Sequence, residues 1–101
     1  MIRIYAERRG SRCRLFVEGH AGYAKGPDVV CAGVSALVGA LIQYAARTPA
    51  CRHLRYCVKN GEAFLSCRGG LGSGFDIVLC GLSAIAEEYP GHVRIESLAV
   101  S

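Results

Sequence analysis

The chain has 101 residues, of which 51% are apolar and 20% charged, with a net charge of +4. These values fit one globular domain with a modest core and exclude a disordered or fibrous chain. The opening MIRIYAERRG has no signal-peptide apolar core, so a cytoplasmic protein is expected.

Six cysteines raise the question of disulfides or metal. There is no Cys-x-x-Cys, and the histidines do not fall at zinc-finger spacing. Free thiols fit a reducing compartment, most of them as small core residues, and no metal or cofactor is expected. Ten of the twelve basic residues are arginine, and Arg3, Arg8, Arg9, Arg12 and Arg14 crowd the first fourteen residues. They read as the solvated outer face of a hairpin. The segment lacks the stacking aromatics and spacing of a known RNA module, so no direct nucleic-acid partner is expected.

Residues 1–9 alternate, with Ile2, Ile4 and Ala6 on one side and Arg3, Tyr5 and Glu7 on the other. Residues 12–19 alternate as well, and Gly10-Ser11 between them suits a two-residue turn. Pairing across it sets Ala6 against Leu15, Ile4 against Val17, Glu7 against Arg14 and Arg3 against Glu18. One register satisfies both faces.

Residues 20–27, HAGYAKGP, read as a loop that closes over bound peptide. Asp28 is placed as the N-cap of a helix running to about Arg47, stopped by Thr48-Pro49. Its apolar stripe is Val30, Val34, Leu37, Leu41 and Ala45, while Gly33, Ala36, Gly39 and Ala40 leave room for a close neighbour. The apolar run near 29–46 is interrupted by Gly33, Ser35, Gly39 and Gln43. It is short for a membrane span and reads as a buried helix, so no membrane partner is expected.

Residues 53–59 and 62–68 form a second hairpin around Asn60-Gly61, a type I′ signal. Val58 then faces Ala63, Tyr56 faces Leu65, Lys59 meets Glu62, and Cys57 falls opposite Phe64. A second helix spans about Ser73 to Tyr89, burying Phe75, Val78, Leu82, Ile85 and Tyr89. Residues 92–99 are a last strand. The order ββαββαβ predicts an α+β two-layer sandwich, a mainly antiparallel sheet with two helices on one face. The whole of 1–101 is read as one domain.

His20 and Cys31 carry the chemistry. The His follows a strand, and the Cys falls at the start of a helix. A helix N-terminus and a neighbouring imidazole are two standard ways to turn a thiol into a nucleophile. Helix-start N–H groups without helical partners can hold the oxyanion formed at an attacked carbonyl. His20 would take the thiol proton and return it to the leaving amine. Asp28 can cap the helix, orient His20, or both. Ser35 lies one turn beyond Cys31 and can contact substrate or fix the site. His53 and His92 are read as structural.

The stretch Gly19-His20-Ala21-Gly22-Tyr23, then Gly26, Asp28, Val30-Cys31-Ala32 and Ser35, closely resembles the ribosomal-processing cysteine proteases, called Prp. The element order over nearly the whole chain matches as well. The resemblance implies a cysteine endopeptidase with a His20–Cys31 dyad and a homodimer. It also implies a substrate: the N-terminal extension of a bacterial large-subunit ribosomal protein, the twenty-seventh in the usual naming. The arginine-rich composition and Lys25-Gly26-Pro27 depart from the family's usual pattern and bear on substrate preference. Two other classes stand beside this reading. One is a non-enzymatic ribosome- or RNA-binding module on the basic hairpin. The other is a thiol redox protein, which lacks a resolving Cys beside Cys31.

Overall fold

The computed structural model describes residues 1–19, 28–69 and 71–100, with Asp28 described in its backbone only. The elements are β1 (Ile2–Arg9), β2 (Arg12–Glu18), α1 (Asp28–Arg47), β3 (Arg52–Lys59), β4 (Glu62–Arg68), α2 (Gly72–Glu88) and β5 (Val93–Val100). His20 and the rest of the 20–27 loop lie outside the described residues.

The five strands form one sheet in the order β3-β4-β2-β1-β5. Every contact is antiparallel except β1 with β5, which run parallel. The predicted α+β class holds, as a mixed sheet with both helices on one face. Both hairpin registers are those read from the sequence: Ala6 faces Leu15 and Arg3 faces Glu18, while Tyr56 faces Leu65 and Lys59 faces Glu62. The second turn is not type I′. That type requires positive φ at both central residues, yet among the described non-glycine residues only His53 has positive φ, while Gly61 has 78°. His53, at 55°, sits where the β3–β4 register shifts between Arg52 and Arg55.

The core lies between the sheet and the helices. Ile4, Leu15, Leu65, Leu41, Phe75 and Leu82 are fully buried in it. Truncating Phe75 to Ala would cost about 3–5 kcal/mol, the usual penalty for emptying such a site. Helix α1 is apolar and long enough by composition to cross a membrane. Here it packs as a core helix, burying Val30, Val34, Val38, Leu41, Ile42 and Ala45. The stripe is wider than predicted, because Val38 and Ile42 join it. Leu37 is only half-buried against the core and turns toward α2.

The two helices approach closely. A Cβ at Gly81 would come within 2.8 Å of the Leu37 side chain, and one at Gly33 within 3.2 Å of Ile85. Of the small residues singled out in α1, Gly33 thus serves α2, a close neighbour within the chain, whereas Ala36 and Ala40 are exposed. Leu79 joins Phe75, Val78 and Leu82 in the buried face of α2, while Ile85 and Tyr89 are partly buried. At the helix start, Arg8 of β1 grips Asp76 through Nε at 3.1 Å and a second guanidinium nitrogen at 3.3 Å.

All six cysteines are thiols. Cys13 and Cys67 are buried, Cys31 and Cys51 pack against the core, but Cys57 and Cys80 are exposed. The expectation that most of the cysteines are core residues therefore holds, at four of the six. Cys57 lies on the strand face away from the helices, and Cys80 on the outward side of α2.

Candidate active site

Cys31 falls in the first turn of α1, because the helix begins at Asp28. The backbone N–H groups of a first turn have no acceptors within the helix and point toward its N-terminal end. The Cys31 side chain is half-buried. It lines a groove of about 280 Å³. Ser35 lines the same groove one turn on and is exposed. The predicted common side of Cys31 and Ser35 is therefore what the helix presents.

The opposite wall comes from the sheet. Val17 and Ala63, paired across β2 and β4, face the groove together with Val58. Gly19, one residue past β2, lines it too. Its φ is 97°, and a Cβ there would collide with the carbonyl oxygen of Met1. Only glycine accepts both the dihedral and the contact. The Gly19 N–H donates to the Gly61 carbonyl at 2.8 Å, so the end of β2 is fastened to the β3–β4 turn.

Of the residues singled out in the sequence, Gly19, Cys31 and Ser35 meet at one groove. His20 follows Gly19 by one peptide bond and lies outside the described residues, as does the side chain of Asp28. Asp28 is the first helical residue rather than a residue preceding the helix. Sequence reasoning did not place Val58, Asn60 and Gly61 at the site. The Asn60-Gly61 turn is visible in the sequence, but its nearness to Gly19 depends on the β2–β4 pairing that sets Glu18 opposite Glu62. Among the described residues no cluster of His, Cys, Asp or Glu could hold a metal ion.

A thiol at a helix start, above a largely apolar groove open to solvent, can present a nucleophile to a peptide carbonyl whose neighbouring side chain occupies the groove. The family model for cysteine protease Prp matches residues 1–94. Among solved structures, the Streptococcus mutans protein SMU.848 is 25% identical with a TM-score of 0.71, covering 98% of this chain and 95% of its own. The ribosomal processing protease Prp of Staphylococcus aureus, solved with a covalently linked product peptide, is 24% identical with a TM-score of 0.75 over the full length of both chains. The same S. aureus protease with a substrate peptide aligns at 22% identity and a TM-score of 0.74, covering 96% and 99% of the two chains. Among curated proteins no sequence matches the chain.

Proposed function

The chain belongs to the cysteine protease Prp family, and on that premise we propose that it cleaves peptides through a His20–Cys31 dyad. The observation that carries this is the placement of Cys31 in the first turn of α1, on a groove whose wall includes the residue before His20. The family makes the chain a cysteine protease, which sets aside the redox and the purely non-enzymatic readings.

In the proposed reaction His20 withdraws the Cys31 proton, and the thiolate sulfur attacks the scissile carbonyl carbon. Negative charge collects on the carbonyl oxygen, where first-turn N–H groups of α1 offer hydrogen bonds. The carbon–nitrogen bond breaks as His20 protonates the amine, leaving a thioester on Cys31. Water, deprotonated by His20, then releases the acid and restores the thiol. Asp28, the first helical residue, stabilises the positive end of the helix through its charge and steers the imidazole. Ser35, exposed on the groove wall, contacts the substrate.

The substrate proposed is the N-terminal extension of the twenty-seventh large-subunit ribosomal protein, and the setting is the cytoplasm. Support comes from the Gly-His and Asp-x-x-Cys motifs and from the S. aureus protease, which is a ribosomal processing enzyme. A homodimer is proposed as well. The test is mass spectrometry of peptides spanning the start of that ribosomal protein from the same genome. Wild type should cut at one bond. Cys31→Ala should stop cleavage, and His20→Ala should lower the rate by about 10²–10⁴-fold. Cleavage at full rate by either variant refutes the dyad.

A further inference from the structure

The helix-free face of the sheet assembles what the sequence scatters. Arg9 pairs with Arg12, Arg12 with Arg68, and Arg68 with Arg52. Four arginines therefore stand side by side on four adjacent strands, all of them exposed. With strands about 4.8 Å apart, the row is about 14 Å long. The next row along the strands sets Arg14 and Arg55 on either side of Ser66.

Like charges directly opposite one another weaken a sheet. The only carboxylate in these two rows is Glu7, which lies 3.6 Å from Arg9. Among the described residues Arg12, Arg14, Arg52, Arg55 and Arg68 make no ion pair. Glu7, beside Arg9 and opposite Arg14, is the one carboxylate among the described residues of these rows that offsets six arginines. A polyanion laid across the rows would supply the missing charge.

Beside these rows lies a third. Tyr5 faces Phe16, and Phe16 faces Phe64. The Tyr5 and Phe16 ring centroids are 5.8 Å apart, and all three rings are half-exposed around a shallow depression of about 190 Å³ shared with Arg14, Ser97 and the carboxylate of Glu7. Flat aromatic rings on an open sheet, bordered by guanidinium groups, suit unstacked bases joined by a phosphate backbone. We propose that this face binds single-stranded RNA, with phosphates on the Arg9–Arg12–Arg68–Arg52 row and bases on Tyr5, Phe16 and Phe64. The choice of RNA rather than DNA rests on the ribosomal-processing reading above. The expectation of no nucleic-acid partner came from the first hairpin alone; Arg52, Arg55, Arg68 and Phe64 join it only through the β2–β4 and β3–β4 pairings.

A second copy of the chain fits the face less well. Glu18 and Glu62 at its other end already face Arg3 and Lys59 across the ladder, and Glu96 lies 3.6 Å from Arg94. A copy turned end for end brings three carboxylates, Glu18, Glu62 and Glu96, each with a cation of its own opposite or beside it, against six arginines.

The test is fluorescence anisotropy of the full chain with a labelled uridine dodecamer, titrated at several salt concentrations. Four to six phosphate contacts predict a slope of log K on log salt of about −3 to −4. Arg12→Gln/Arg68→Gln should weaken binding at least tenfold and flatten the slope, with short-peptide cleavage unchanged. Removing like charges should leave urea stability equal or higher. Arg52→Gln/Arg55→Gln on the exposed edge strand gives the same readout should the first pair fail to fold. Phe64→Ala should cost roughly tenfold. Arg47→Gln, at the end of α1, should change nothing. Equal weakening by Arg47→Gln would mean net charge alone, and overturns the proposal. So does unchanged RNA binding by the double variant, and so does a double variant that alters only the oligomeric state, which would make the face an interface between copies. None of these results touches peptide cleavage, so the protease reading stands or falls separately.

Discussion

The Gly19 N–H and the Gly61 carbonyl are joined by a hydrogen bond of 2.8 Å that ties the residue before His20 to the β3–β4 turn. Gly19 holds φ of 97° there, against the Met1 carbonyl. Gly19→Ala forces a side chain into an unfavourable dihedral and into backbone. The expected loss is more than about 1 kcal/mol of stability. The larger effect should be on cleavage, because a displacement of about 1 Å at a reacting group can cost about 10²-fold. Urea titration and peptide kinetics on the same variant measure the two. A variant with wild-type kcat would show that the base of the loop does not set the position of His20.

Ser35 is exposed on the groove wall one turn from Cys31. If it contacts substrate, Ser35→Ala loses one hydrogen bond, worth about 0.5–1.5 kcal/mol, or about 2–10-fold in kcat/KM. Stability should stay within about 0.5 kcal/mol, as for other exposed positions. A fall in thermal midpoint without a kinetic change would make Ser35 a packing residue.

Local pairing was legible in the sequence and long-range pairing was not. Alternation on either side of Gly10-Ser11 and Asn60-Gly61 was enough to set Ala6 on Leu15 and Tyr56 on Leu65. Nothing local sets Phe16 on Phe64 or Ile4 on Ile95, since those pairs join segments far apart in the chain. The groove therefore stayed half visible. Cys31, Ser35 and Gly19 carried motif signals, whereas Val58 and Gly61 arrive only through the β2–β4 ladder. The α1 stripe was read too narrowly because the helix packs on both the sheet and α2, so Val38 and Ile42 are buried as well as the predicted residues. Asn60-Gly61 gave the correct loop length but the wrong turn type, which shows that register can be right when the turn's dihedrals are not.

The buried Cys67 thiol supplies a pH dependence. Burial, then the hydrogen bond and charge of Cys51, push its pKa up from 9.0 to about 12. Burial raises that of Cys13 too. In the unfolded chain these thiols ionise near their ordinary value, whereas in the folded chain they keep their protons. The unfolded state then binds fewer protons above about pH 9, so stability is fully present below that value and declines as pH climbs toward about 12. Each pH unit in that window costs up to about 1.4 kcal/mol per such group. Urea midpoints measured from pH 8 to 11 should fall, and Cys67→Ala should be less stable at pH 8 but show a shallower decline. An equal decline in the variant would assign the alkaline loss to other groups.

The homodimer can be tested on α1. Its outward side carries Ala32, Ala36 and Ala40, all exposed. That is an apolar strip with small side chains on which a second backbone can settle closely. Sedimentation equilibrium at micromolar concentration should give twice the 10.8 kDa monomer mass. Ala40→Arg places a guanidinium in the strip, where two copies would confront each other's charge, and should shift the chain to monomer. The substitution is at an exposed helical position, and arginine is a good helix former, so the fold should hold. A dimer that survives Ala40→Arg but dissociates in Arg12→Gln/Arg68→Gln would put the contact on the open sheet face instead. A wild-type chain that stays monomeric and cleaves peptide at full rate would remove the dimer from the mechanism.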